Sequence, residues 1–297
     1  MYIFRLHVRP GGGSASMADT FAYCLSQGIL GVGWRTEITT NTKDWETYYA
    51  EASTLHEDLN TCKYIKRWIS EGCLVWTRDP QGNYYLARVL SGWEYFTTEE
   101  SRHRDIDIGN VFRVAFERLS IDEVPGKVVA SFRPSRTLQE IADPTAIAYS
   151  KFIWNERAKA EVYALDGYAL EAPDVFSLLD SEEAEDLVFL YLQTQGWFVV
   201  PNSRKADTLA FEYLVIKPQD TSCAQVQVKT GKTILNRDLY RNLPFPVILF
   251  QSSDLYAGEP STNVTCLSRA EVENFLTASA HWLPARYRRK MAMLQRR

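Results

Sequence analysis

Hydrophobic and polar positions along this chain change rhythm near its middle. Residues 2–8 alternate as a strand does, with every second side chain on one face, until Gly11-Gly12-Gly13-Ser14 interrupts them. Residues 18–27 carry helical spacing and end at Gly28, a residue suited to a helix C-terminus. A short apolar strand, 29–34, holds two glycines, and 43–70 reads as one long helical stretch. Residues 73–77 and 84–90 predict paired strands around Asp79-Pro80-Gln81-Gly82-Asn83, which has the composition of a hairpin turn. A further strand is predicted over 110–119, and this run of short strands predicts a small curled β-barrel with helices. From Asp143 the pattern shifts. A connecting helix is predicted over 145–159, with a break at Ala172-Pro173-Asp174. There follow a helix (182–194), strands (197–201, 208–216, 224–229, 246–251) and a helix (268–277), an order that predicts an α/β unit. The fold class expected for the whole is α+β. The end of the chain, from Arg286, reads as a basic tail.

Composition narrows the function. The net charge is −4, so a uniformly basic nucleic-acid coat is excluded, although a local basic face is not. Aromatic residues make up 13% of the chain, enough to serve both as core and as stacking surfaces for bases. Five cysteines without a CxxC pair read as buried free thiols of a reducing compartment, not as a disulfide framework or a zinc site. No apolar run approaches membrane-spanning length, and the start is too interrupted by charge for a signal peptide. A soluble, cytoplasmic protein without membrane partners is expected. His7, His56, His103 and His281 show no ligand spacing and read as surface or satisfied residues.

The second half holds the candidate chemistry. In Gln225-Val226-Gln227-Val228-Lys229, Gln227 and Lys229 share one face of a strand while the valines fill the other. Asp207, at the head of the neighbouring strand, and Glu185, on the preceding helix, are the acids that meet them. Phosphodiester hydrolysis needs such a set. A hard divalent cation, Mg2+ or Mn2+, would take oxygen ligands from Asp207, the Gln227 amide and Glu185. Lys229 would orient the attacking water or stabilise charge on the phosphate.

This constellation, with the lead-in Gly196-Trp197 eleven residues after Glu185, resembles the PD-(D/E)xK nuclease superfamily and, within it, Mrr-like restriction endonucleases. The resemblance covers roughly 181–277 and implies the order Asp … Gln-x-Lys, with Gln227→Glu tolerated because the wider superfamily uses an acid there. One departure is the Lys205-Ala206-Asp207-Thr208 context, where the group has a glycine and a further acid. Glu212 is a second acid on the same strand, and the choice between Glu185 and Glu212 for completing the metal site stays open.

The first half, from Tyr2-Ile3-Phe4-Arg5 through Gly31-Val32-Gly33-Trp34 and Gly92-Trp93-Glu94-Tyr95 to Ser131-Phe132-Arg133-Pro134, is similar to EVE/PUA-like domains. That resemblance implies a reader of a flipped, modified base. Trp34, Trp93 and Tyr95 would supply stacking faces, and Arg5, Arg35, Arg88 and Arg133 would lie near phosphates. Together the resemblances imply a reader domain (1–143), a connecting helix and linker (144–178), a nuclease domain (179–285) and a basic tail (286–297). The activity implied is modification-dependent cleavage of foreign double-stranded DNA, with a homodimer favoured for cutting both strands. An RNA-directed nuclease and a non-catalytic DNA-binding subunit are the alternatives.

Overall fold

A computed structural model describes residues 2–165, 174–205 and 211–295. Asp207, residues 208–210 of the strand expected over 208–216, Ala172-Pro173 and the two terminal arginines lie outside the described residues. The chain forms two units. One comprises Met1–Val124 and Val128–Ala164, the other Pro125–Lys127 and Leu165–Arg297.

In the first unit the elements are β1 (Ile3–Leu6), α1 (Met17–Gln27), β2 (Ile29–Val32), α2 (Trp45–Leu55), α3 (Asn60–Trp68), β3 (Leu74–Arg78) and β4 (Tyr84–Tyr95). They continue with α4 (Glu99–His103), β5 (Asn110–Leu119), α5 (Gly126–Ser131), β6 (Leu138–Glu140) and α6 (Pro144–Ala158). Local chemistry sets several of these boundaries. The Ser16 hydroxyl accepts from the Asp19 backbone N–H at 3.0 Å to open α1, and Gly28 closes it in the left-handed region at φ 63°. The single helix expected over 43–70 is two helices. His56 leaves helical geometry, and the Asp58 carboxylate accepts from the Asn60 N–H at 2.7 Å, which favours a turn over continued helix.

The strand order is β2-β5-β4-β3-β1-β6, with β1 and β3 parallel and every other pair antiparallel. The expected barrel does not close: β2 and β6 are the free edges of an open, mixed sheet. Phe21 and Cys24 of α1, Tyr48 of α2 and Ile65 of α3 are buried with the sheet in one core. Helices therefore cover the apolar face that curling would otherwise have to bury. A register shift between Val89 and Trp93 bends β4 and lets it pair with β5 over nearly its whole length. Helix α6, expected to be a connector, is buried from Thr145 to Trp154 apart from Ile147. The Trp76 indole donates to the Ser150 hydroxyl at 3.0 Å, and the Tyr149 hydroxyl to the Glu123 carbonyl at 2.7 Å.

The second unit contains α7 (Ser181–Thr194), β7 (Phe198–Val199), β8 (Tyr213–Lys217), β9 (Ser222–Lys229), β10 (Leu235–Asn236), β11 (Val247–Gln251), β12 (Tyr256–Ala257), β13 (Val264–Leu267), α8 (Arg269–Ser279) and α9 (Ala285–Gln295). Its main sheet runs β13-β11-β9-β8-β7. The β9, β11 and β13 strands are parallel, whereas β8 and β7 are antiparallel additions. Leu187 and Val188 of α7 and Val272 and Leu276 of α8 pack against Val226, Val228 and Phe250. A smaller cluster around Leu235, Tyr240 and Leu249 forms a second core.

The basic tail expected from Arg286 is instead mostly α9, with Tyr287 and Lys290 fully buried. The Lys290 ammonium pairs with the buried Glu183 carboxylate and donates to the Leu178 carbonyl at 2.7 Å. A lysine aimed at a buried acid is a core residue, whatever the charge of its neighbours. All five cysteines are free, three of them buried and Cys223 and Cys266 partly so. Among the described residues no helix is long and apolar enough to cross a membrane.

Candidate functional site

Two places carry the sequence-predicted residues, one in each unit. In the second unit the antiparallel register sets Tyr213 against Val226, which puts Glu212 beside Gln227 at the end of β8. The Glu212 N–H donates to the Val226 carbonyl at 2.8 Å and fixes that position. One carboxylate oxygen of Glu212 then accepts both from the Gln227 amide nitrogen, at 3.0 Å, and from the Lys229 ammonium, at 2.8 Å. Period-two alternation brings Gln227 and Lys229 to the same side, as the sequence pattern requires. Glu212, left open as a second acid by the sequence, is the residue that ties them together.

Gln227 is only 1% exposed, and its amide oxygen has no hydrogen-bond partner. A buried acceptor without a partner costs about 1–3 kcal/mol, so its retention requires an explanation. Its neighbour Glu212 supplies anionic oxygen, and Glu185 on α7 supplies more. The Glu185 carboxyl is pushed up to about 7, first by burial and then by the charges of Glu212 and Glu182, against the opposing pull of Arg204. Glu212, which accepts from Gln227, the unsatisfied Gln227 amide oxygen and Glu185, on which the Glu212 charge acts, offer the oxygen donors that a hard divalent cation takes. Among the described residues no group of three or more His, Cys, Asp and Glu side chains gathers as a metal cage. The set here is two acids and an amide, and Asp207 lies outside the described residues.

In the first unit a cavity of about 570 Å³ is lined by Gly11, Gly12, Gly33, Trp34, Arg35, His56 and Asp107, with Arg9 and Thr137 completing the wall. Its floor is unusually constrained. Trp34 sits at φ 59°, a left-handed conformation that costs a bulky residue of order 1–3 kcal/mol. The Tyr48 hydroxyl holds it by donating to the Trp34 carbonyl at 3.1 Å, and the Asn110 amide donates to the Gly33 carbonyl at 2.8 Å. Asp107 is buried, accepts from the Gly12 N–H at 2.8 Å and lies 3.5 Å from the Arg35 guanidinium. A Cβ on Gly33 would stand 2.3 Å from that carboxylate, so a side chain there would force Asp107 out of its place. His56 bonds the Arg35 carbonyl at 2.8 Å, which fixes the far wall.

The other expected reader residues do not converge there. Trp93 and Tyr95 are 5% and 1% exposed. The Trp93 indole donates to Asn110 at 3.0 Å and meets the Trp45 ring edge-on at 4.9 Å, while Tyr95 stacks on Tyr48 and bonds Thr36 through its hydroxyl. Both rings are core that supports the Trp34 segment; neither offers a free face to a base. Arg35 is engaged by Asp105 at 2.5 Å as well as by Asp107, and Arg5 is fully buried, so neither presents its charge to a phosphate. Arg88 is half-buried on β4, and Arg133 is exposed beyond α5. His7 departs from the expectation of a satisfied or surface residue: it is 5% exposed and its Nε2 has no partner. His56, expected to be a surface or satisfied histidine, is satisfied by its bond to the Arg35 carbonyl, whereas Asp107 was not singled out by the sequence, where its trace is the glycine at 33 that makes room for the carboxylate.

No family model, curated protein or solved structure matches the chain.

Proposed function

We propose that the chain is a modification-dependent DNA endonuclease, in which the first unit holds a flipped, modified base and the second hydrolyses a phosphodiester bond with a divalent metal. The observation that carries the proposal is the buried Gln227 amide, bonded to Glu212, which is shared with Lys229, while its own oxygen is left for a cation. Glu212, the Gln227 oxygen and Glu185 would hold the ion, with Asp207 as the further acid. When bound, Mg2+ or Mn2+ supplies a Lewis acid for the phosphate and lowers the pKa of a water. Lys229 uses one of its three N–H donors on Glu212 and keeps the others for a phosphate oxygen or the attacking water.

The cavity around Trp34 supports the reading half. Its volume lies within the range of small-molecule pockets. Trp34 supplies an aromatic wall, and the Asp107 carboxylate is the acceptor that an exocyclic amine of a cytosine-type base requires. Cleavage of both strands from one site per chain calls for two copies, and a homodimer is the proposed working form.

The test is a cleavage panel on identical duplexes carrying cytosine, methylcytosine, hydroxymethylcytosine or glucosylated cytosine, with Mg2+ or Mn2+. Cutting of modified duplexes that is lost with a chelator, and lost in Lys229→Ala with DNA affinity unchanged, is the expected result. Equal cutting of all four duplexes would sink the reader, cutting of RNA alone would redirect the substrate, and affinity without product would leave a binding subunit.

A further inference from the structure

The first unit contains a group of cations with no acid among them. Arg5 on β1 is fully buried, and its guanidinium donates only to neutral acceptors: the Arg136 and Thr137 carbonyls and, at 2.8 Å, the Gln139 side chain. Its Nε has no partner at all. The Arg5 and Arg78 guanidinium groups both lie against the Phe132 ring, 5.5 and 5.1 Å from its centre. Arg9, Arg136 and Arg78 act on Arg5 as like charges and, behind burial, help to pull its pKa down to about 10. His7 beside them stays neutral, held down to about 4 by burial and by Arg5, Arg9 and Arg78.

Among the described residues, no carboxylate lies within ion-pair distance of Arg5, Arg9, Arg78 or Arg136. Elsewhere in the same unit Arg113 and Arg157 each have one and Arg35 has two. In a chain of net charge −4, four arginines gathered without an acid are not a by-product of composition. Arg9, Arg136 and Arg78 act on buried Arg5 as like charges, and an anion from outside would offset that repulsion where carbonyls and aromatic rings do not. Arg9 and Arg136 are exposed and Arg78 half-exposed, so their forks are available to one. Arg9 and Thr137 also line the Trp34 cavity, which makes the cluster continuous with the pocket.

We propose that Arg9, Arg78 and Arg136, backed by buried Arg5, form a clamp for the sugar-phosphate backbone of the nucleic-acid strand whose base enters the Trp34 cavity. The inference rests on the base-reading proposal above and moves the phosphate contacts away from Arg35, Arg88 and Arg133. Guanidinium forks suit phosphate because two parallel N–H donors match two oxygens. Three such forks against a polyanion explain an arrangement that is unfavourable without one.

The experiment uses the full chain and fluorescence anisotropy with labelled duplex DNA carrying a modified cytosine, titrated across salt concentrations. Each lost phosphate contact lowers the slope of log K against log salt by about 0.9. The triple variant Arg9→Gln, Arg78→Gln, Arg136→Gln should therefore lose about 2–3 from that slope, while exposed Lys43→Gln changes nothing. A double variant at Arg9 and Arg136 alone, both exposed, should lose about 2 and guards against a packing defect at Arg78. Inorganic tripolyphosphate should raise the melting temperature of the wild type and not of the triple variant. An unchanged slope in the triple variant overturns the clamp. If Trp34→Ala still abolishes the preference for the modified base, the reader proposal survives that result. A wild type that binds no nucleic acid overturns both proposals. Binding to RNA alone, with the slope falling in the triple variant, supports the clamp and removes DNA as its partner.

Discussion

Gln227→Glu tests the metal site without any substrate. In the free protein the Gln227 amide, at a position that is 1% exposed, donates at 3.0 Å to the Glu212 carboxylate that also pairs with Lys229. Glutamate there loses the donor and sets a second carboxylate against the first. A hydrogen bond to a charged group is worth about 1.5–3 kcal/mol, and two carboxylates in one site resist joint ionisation. Lys229, which already contacts Glu212, offsets part of the repulsion. A net loss of about 2–3 kcal/mol at pH 8 follows, equivalent to a melting temperature lower by about 4–12 °C for a domain of this size. A bound divalent ion reverses the sign, because a third anionic oxygen strengthens its site. At 100 times the dissociation constant the ion returns about 2.7 kcal/mol. The assay is thermal unfolding followed by circular dichroism, in chelator and then in Mn2+, with exposed Gln195→Glu as the control. The variant should melt below the wild type in chelator and gain more from Mn2+ than the wild type does. Equal melting in chelator, or an equal Mn2+ increment in both proteins, would refute the placement of a cation at Glu212 and Gln227. Tolerance of this change, which the family resemblance implies, is thus expected only when metal is present.

Trp93→Ala should act on folding, because the indole is buried against Trp45 and bonded to Asn110; a loss of about 3–5 kcal/mol in urea unfolding is expected, and near-wild-type stability with weakened base binding would return Trp93 to the pocket. Lys290→Met leaves the Glu183 carboxylate buried and unpaired, which should cost about 3–5 kcal/mol by the same measurement, whereas a free basic tail would show no loss. His7 ties stability to acid. Its folded-state pKa of about 4 lies below the ordinary 6.5, so the unfolded chain takes a proton that the folded one refuses. That contribution is fully present above pH 6.5 and is lost as pH falls through 4, up to about 3 kcal/mol at one pKa unit per 1.4 kcal/mol. His7→Leu should flatten this part of the stability curve relative to the wild type, and parallel curves for the two proteins would contradict it.

Much of the local structure was legible in the residues themselves. Alternation along 224–229 put Gln227 and Lys229 on one face, because a strand leaves no other option. Gly28 marked the end of α1, since its left-handed φ is one that glycine adopts without strain. What the pattern could not state is what lies across from a face. Glu212 became the partner of Gln227 and Lys229 through the register of β8 against β9, a pairing between residues 15 and 17 apart that no local periodicity encodes. The EVE/PUA-like resemblance implied Trp93 and Tyr95 as stacking faces, but α2 brings Trp45 and Tyr48 onto them and turns them into core. The open sheet, the buried α6 and the packed α9 have the same origin. Whether a strand edge closes, or a lysine meets an acid, depends on which distant segments cover it. For Arg5, Arg9, Arg78 and Arg136, spread over more than 130 residues, only the parallel pairing of β1 with β3 and the return of the chain through β6 brought the charges together.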